Sequence, residues 1–237
     1  MGKDKLKRFR ALETIERVFQ PDFDEVYNKD YQLKGKWKQE VYGNEKHLVL
    51  ELGCGAGEYT VGLARLYPHK NFLGLDIKGA RIWKGAVIAQ RDNLENVSFL
   101  RTRIDFISSF FAKDEVDELW ITFPDPQERR RRRKKRLTGD IFLNMYRQFL
   151  IDGGFINLKT DNFGLYTYTL ELAKYNNLEI EWHTDDLYQT GRSDETVSIQ
   201  TFYEAKFRAE GKKINFIRFR LPSQREIKEL PYDVEEI

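Results

Sequence analysis

Between residues 47 and 184, short apolar runs alternate with segments of helical spacing, and this confines the chain to an α/β fold with a mostly parallel sheet. Such strand, helix, strand units take right-handed crossovers, which gives a doubly wound sheet. The predicted strands are 47–51, 71–76, 97–100, 116–122, 153–159 and 178–184. Helices are predicted over 59–67, 80–90, 104–111, 138–150, where Thr138 caps and Asp140 lies in the first turn, and 163–175. Residues 201–207 and 214–219 read as two last strands joined through Gly211, a hairpin that closes the sheet. Residues 3–19 are expected to be helical, 129–136 a loop, and 185–196 polar and mobile. The expected organisation is a basic extension and connector over 1–43, the α/β domain over 44–221 and a tail over 222–237.

A core for such a sheet is available, since 41% of the residues are apolar, among them 17 Phe, 12 Tyr and 4 Trp. That excludes disorder for most of the chain, and Trp37, Trp83, Trp120 and Trp182 read as core or interface residues. No apolar run approaches the ~18 residues of a membrane helix. The basic amino terminus has no apolar stretch behind it, so it is not a secretory signal, and Leu6 argues against myristoylation. Cys54, the single cysteine, cannot form an intramolecular disulfide or a multi-cysteine metal site and suits a reducing cytoplasm. With three scattered histidines besides, no metal site is expected.

The 40 Lys+Arg nearly balance the 38 Asp+Glu, yet the positive charge is concentrated. Arg129 to Arg136 are eight consecutive basic residues, and a second cluster occupies 3–10. So dense a block repels itself and reads as a polyanion-binding face, the plainer alternative being a solvated charge run.

In open α/β sheets a ligand sits beyond the carboxyl ends of the strands. The turn after the first strand carries Gly53, Gly55 and Gly57, but the dinucleotide pattern G-x-G-x-x-G needs a glycine where Glu58 stands. Glu51, just before the glycines, disfavours a pyrophosphate and suits a cationic group. Asp76, at the end of the second strand, is placed to accept from two ribose hydroxyls. Together these describe S-adenosylmethionine rather than a nicotinamide cofactor, the plainer alternative being a bare strand-to-helix connection. Cys54 is then a small turn residue, not a nucleophile.

Glu51-Leu-Gly-Cys-Gly-Ala-Gly, Phe123-Pro-Asp-Pro126 with basic residues after it, Lys159-Thr-Asp161 and Thr201-Phe-Tyr-Glu204 follow one another in this order. In these motifs, over roughly residues 10 to 220, the chain resembles tRNA (guanine-N7)-methyltransferases. The last three are the more specific, because many methyltransferases share the glycine turn. The resemblance implies a class I S-adenosylmethionine-dependent methyltransferase fold with a seven-stranded sheet. It also implies transfer of a methyl group to N7 of a guanine in the variable loop of tRNA, at position 46. Carried over, Glu51, Gly53, Gly55 and Asp76 bind the cofactor, and Asp125 is the catalytic acid beside both cofactor and base. Arg129, Asp161 and Thr201, Phe202, Tyr203 and Glu204 fall on substrate-binding positions. The adenine-side residue falls on Arg103 without a gap, on Asp105 with a shifted register, or is replaced by the Ile104 backbone. Gln127 and Glu128 stand where the family has Trp and basic residues, so no stacking partner is assigned there. The implied partner is tRNA, with no membrane and no obligate protein partner, the enzyme acting as monomer or homodimer.

Guanine N7 carries an in-plane lone pair and no proton, so its methylation needs no general base. The work is positioning, with N7 in line with the methyl group at ~3 Å. Positive charge develops on the purine, which Asp125, Asp161 and Glu204 are candidates to stabilise, or they accept from N1–H and N2–H₂. Each has a plainer reading: Asp125 as a turn residue, Asp161 as a helix cap, Glu204 on a solvent-facing edge strand. The basic segments would hold phosphates without reading sequence, and a guanine in tertiary pairing would need local opening. Competing readings are a methyltransferase of this fold acting on another RNA, a protein or a small molecule, and an RNA-binding module without catalysis.

Overall fold

The central strands are nearly continuous apolar runs because they are covered on both faces. Every residue of Leu48–Leu52 and of Asn71–Asp76 is buried. The computed structural model describes residues 10–231, so the basic cluster and helical lead-in expected over residues 3–9 lie outside the described residues. The chain divides into two compact units, the first ending at Val116 and the second beginning at Asp117.

In the first unit four strands run parallel in the order β1 (Val18–Phe19), β4 (Val97–Arg101), β3 (Asn71–Asp76), β2 (Leu48–Leu52). Helices α1 (Phe23–Val26), α2 (Glu58–Leu66) and α3 (Gly79–Arg91) connect or flank them, and a 3-10 helix over Ile104–Ser109 follows β4. The carboxyl ends of β2, β3 and β4 therefore gather the 53–57 turn, Asp76 and residues 102–105 at one edge. The connector before β2 is anchored by Glu115, whose carboxylate accepts from the backbone N–H of Gly35, Trp37 and Ala112 at 2.8–3.0 Å. Trp37 is fully buried and donates its ring N–H to Phe110 O at 2.8 Å.

Among the described residues the expected lead-in helix persists only over 10–12, and Val18–Phe19 pairs with β4 instead. A Val-Phe pair just before Gln20-Pro21 favours extended backbone, and the open β4 edge supplies its hydrogen bonds. With this short strand the described residues hold eight strands, where the resemblance implies seven.

The second unit has the order β5 (Val116–Thr122), β6 (Leu150–Thr160), β8 (Asn215–Leu221), β7 (Ile180–Thr184). Strand β8 is antiparallel to both its neighbours, with Gly154 opposite Leu221 and Thr160 opposite Asn215. Helices α4 (Asp140–Tyr146), α5 (Phe163–Tyr175), α6 (Glu195–Ser198) and α7 (Phe202–Ala209) complete it. Trp120, Tyr146, Phe149, Phe216 and Phe219 form its fully buried core, with Trp182 stacked on Phe216 at 4.4 Å.

Residues 201–207 belong to helix α7 and its cap, not to the first strand of a hairpin, and β8 pairs with β6 and β7. Thr-x-x-Glu is a capping box: Glu204 N–H donates to Thr201 Oγ1 at 3.2 Å and Thr201 N–H to Glu204 Oε2 at 3.4 Å. Residues 185–196, expected to be polar and mobile, hold a 3-10 helix over Leu187–Gln189 and the start of α6, with Leu187 and Thr196 buried. The basic run is likewise a 3-10 helix, Arg130–Lys135. Gly139 rather than Thr138 caps α4, and Thr138 is buried with its hydroxyl 2.7 Å from that of Thr169. That helix ends at Tyr146, because Leu150 already begins β6. Among the described residues no helix is long and apolar enough to cross a membrane.

Candidate active site

Three glycines make the turn after β2, with φ of 76° at Gly53, 55° at Gly55 and 71° at Gly57, a region that strains any residue with a Cβ. Gly57 meets a second requirement. A Cβ there would lie 2.7 Å from the Phe99 ring and 3.1 Å from Gly85 Cα, so α2 and α3 approach each other over Phe99 only because both positions lack side chains. A Cβ at Gly53 would meet nothing within 4 Å and at Gly55 only the Gly53 carbonyl at that limit, which leaves their backbone open to a ligand.

Asp76 is buried, and each of its oxygens accepts from a backbone N–H: Oδ2 from Gly55 of the turn at 2.9 Å and Oδ1 from Lys78, at the start of α3, at 2.7 Å. Those bonds aim the carboxylate, and each oxygen has a further lone pair for a ribose hydroxyl. Glu51 is also buried, and its Oε2 accepts from Thr60 N–H at 2.8 Å and from the Thr60 hydroxyl. Thr60 lies in the first turn of α2, so the protein's own carboxylate uses a donor that a phosphate would otherwise take. Burial pushes the Cys54 thiol well up, and the charges of Glu51 and Asp76 push it further. The turn is thus electronegative and the thiol protonated. A pyrophosphate does not fit such a site, whereas a ligand with a sulfonium, an ammonium and a ribose does. S-adenosylmethionine has these groups.

Beyond β4, Asp105 is exposed and its Oδ2 takes Arg103 Nη2 at 2.8 Å and Nε at 3.2 Å, so the two adenine-side candidates are paired with each other.

In the second unit, Phe123 takes a positive φ of 48° and its N–H donates to Lys159 O at 2.8 Å, which turns the chain into Pro124-Asp125-Pro126. Asp125 is exposed, with Oδ1 accepting from Gln127 N–H at 3.1 Å. The turn bond of the plainer reading is present, and it holds the carboxylate at the rim of an open cleft lined by Gln127, Glu128, Arg129 and Arg132. Asp161 is not the cap of α5. That role belongs to Asn162, whose Oδ1 accepts from Leu165 N–H at 2.7 Å while its Nδ2 donates to Glu128 at 2.9 Å. Asp161 instead pairs with Lys212 at 2.7 Å, and this bond raises the Lys212 ammonium above its ordinary value. Nothing near Asp161 in the sequence pointed to Lys212, which arrives from the segment before β8.

Glu204 stands differently from either expectation, base acceptor or solvent-facing edge. It is fully buried, its Oε1 lies 2.7 Å from Lys159 Nζ and accepts from the Tyr188 hydroxyl at 2.8 Å, and its Oε2 closes the capping box. A carboxylate turned inward cannot also meet a guanine edge, so Glu204 positions Thr201, Phe202 and Tyr203. Burial pulls the Lys159 ammonium down, opposed by Glu204, and Lys159 also donates to Ile199 O at 3.1 Å. Burial and the bond to Glu204 push Tyr188 up to about 12. The exposed faces of the motif are Phe202 (66%) and Tyr203 (45%). Tyr203 stacks towards Phe207 at 6.3 Å, Phe207 contacts Phe123 at 5.9 Å, and Lys212 covers the Phe207 ring at 4.4 Å. The three motifs of this unit are thereby joined side chain to side chain.

The basic run is not uniformly solvated. Arg129, Arg131, Arg132, Lys134 and Lys135 are exposed, Arg133 is buried in an ion pair with Glu229, and Arg136 lies over the Tyr168 ring at 4.2 Å.

The methyltransferase family model Methyltransf_4 matches residues 45–217. The chain is 45% identical over 235 residues, 99% of its length and 92% of the relative's, to a tRNA (guanine-N(7)-)-methyltransferase of Bacteroides thetaiotaomicron. It is 47% identical to a protein of that name from Christiangramia forsetii, covering 93% of this chain and 99% of the relative. Among solved structures, the 16S rRNA methyltransferase KamB shares the fold, with a TM-score of 0.59 at 13% identity over 78% of this chain and 92% of that one.

Proposed function

The chain belongs to the tRNA (guanine-N(7)-)-methyltransferase family, and on that premise we propose that it transfers a methyl group from S-adenosylmethionine to N7 of a guanine in tRNA. The observation that carries the cofactor half is the electronegative glycine turn, in which Glu51 and Asp76 surround open backbone at Gly53 and Gly55. The finer target, position 46 in the variable loop, and a cytoplasmic location belong to the same reading.

S-adenosylmethionine supplies an electrophilic methyl group, and every protein group then acts by binding or orienting. Asp76 holds the ribose, the Gly53 and Gly55 backbone receives the ligand closely, and Glu51 offsets its positive charge. Arg103, the Ile104 backbone or Asp105 borders the adenine. Because N7 has no proton to lose, no residue serves as a base. Asp125 stabilises the positive charge that develops on the purine, a role its exposed, turn-held carboxylate suits. Asp161 accepts from guanine N–H groups once Lys212 releases it, and the exposed rings of Phe202 and Tyr203 offer stacking faces. Arg129 and the outward members of the basic helix take phosphates.

Incubating the protein with unmodified tRNA transcript and S-adenosylmethionine, then digesting and locating 7-methylguanosine by mass spectrometry, tests this. Product in the variable loop, lost when the guanine at position 46 is replaced and in Asp125→Ala, is the expected result. Cofactor binding with no methylated RNA would sink the substrate assignment.

A further inference from the structure

The segment after β8 is gripped along its length. Arg147 donates to Pro222 O at 3.2 Å and Ser223 O at 2.8 Å, and Asp152 accepts from Ser223 N–H at 2.8 Å. Two asparagines then hold its backbone reciprocally. Asn144 of α4 donates to Ile227 O at 2.8 Å and accepts from Ile227 N–H at 2.9 Å. Asn176, just past α5, donates to Lys228 O at 2.9 Å and accepts from Lys228 N–H at 2.7 Å. Ile227 and Leu230 are buried, at 2% and 3% exposure. Between them the segment delivers Glu229 to Arg133, the buried arginine in the middle of the basic 3-10 helix.

A 3-10 helix made only of Arg and Lys has no apolar face to seat it and repels itself, so its orientation must come from outside. We propose that residues 222–230 are a positioning strap: Glu229 pins Arg133 inward and thereby aims Arg131, Arg132, Lys134 and Lys135 outward as a ridge for RNA phosphates. Arg136, seated on Tyr168, fixes the far end of the ridge. This rests on the reading of the protein as a tRNA-binding enzyme and adds a positioning residue, Glu229, that itself never touches RNA.

Simple charge and positioning predict opposite signs. Removing a carboxylate beside a basic ridge strengthens binding to a polyanion if only net charge matters, and weakens it if the carboxylate orients the ridge. Binding of tRNA by Glu229→Gln, measured against salt concentration, is expected to be about three- to ten-fold weaker with a salt slope shallower by roughly 0.7–0.9 per lost contact. Glu229→Asp is expected to restore part of the loss, with S-adenosylmethionine affinity unchanged in both. The neutral change Asn144→Ala, which loosens the strap without altering charge, is expected to weaken tRNA binding in the same way and keeps the test open should Glu229→Gln fold poorly. Equal or tighter binding by Glu229→Gln overturns the strap. Absence of salt-sensitive tRNA binding by the unaltered protein overturns the functional reading and the strap with it.

Discussion

Lys159 and Glu204 meet at 2.7 Å with neither side chain exposed, tying the end of β6 to the first turn of α7. Taking two charges out of water costs several kcal/mol each, offset here by their attraction and by the bonds from Tyr188 and to Ile199. Removing one partner, by Lys159→Met or Glu204→Leu, is expected to cost about 3–5 kcal/mol because the other charge is left buried without its countercharge. The double variant is expected to be more stable than either single one in urea unfolding. Its methylation rate stays low, since α7 loses half of its capping box.

Tyr188 gives the pair an alkaline signature. Its phenol is held up to about 12 in the folded protein against 10.0 for the ordinary value. The folded state therefore keeps a proton that the unfolded chain releases above 10. The stabilisation is complete below that pH and is lost as pH rises towards 12. Melting temperature is expected to fall more steeply over this window in the natural protein than in Tyr188→Phe. Parallel curves would refute the link.

Gly53 and Gly57 separate ligand access from packing. Gly57→Ala adds left-handed strain of about 1–2 kcal/mol to a clash with Phe99 worth about 1–3 kcal/mol, so thermal stability drops sharply. Gly53→Ala carries only the first cost. Its larger effect is expected in calorimetry, as weaker S-adenosylmethionine binding, because the added methyl group fills the open space over the turn.

For Asp76→Ala, loss of hydrogen bonds to a charged acceptor, about 1.5–3 kcal/mol each, is expected to weaken S-adenosylmethionine binding by at least ten-fold. The same change frees Gly55 N–H and Lys78 N–H, so Asp76→Asn, which keeps one acceptor oxygen, should lose less. Equal losses in the two variants would mean that the negative charge, not the geometry, does the binding.

On the basic helix, Arg132→Gln is expected to lower the salt slope of tRNA binding by roughly 0.7–0.9, the value for one phosphate contact. The corresponding change at Arg136, whose guanidinium sits on Tyr168, is expected to alter the slope less and stability more.

Helix Phe163–Tyr175 and the run from β2 through the glycine turn to Asp76 were legible because local pattern and burial agree there. An apolar run too short for a helix, closed by glycines that alone tolerate the turn, leaves little choice. Residues 201–207 are ambiguous in the sequence because aromatic residues at 202, 203 and 207 suit a strand as well as a helix. The mark that favours the helix is Thr201 with Glu204 three residues on, a capping box as well as a substrate motif.

The α/β fold class, the acid-flanked glycine turn and the acids and bases available to the site follow from period, backbone strain and residue chemistry, which act within a few positions of the chain. Which carboxylates face outward depends instead on long-range contacts. Glu204 turns inward because Lys159, distant in sequence, is buried beside it, and Asp161 is occupied because Lys212 arrives from the approach to β8. Arg133 leaves the basic face because Glu229 is delivered to it by the strap. A charged side chain has no intrinsic direction along the chain, and it takes the one set by the countercharge that folding brings within reach.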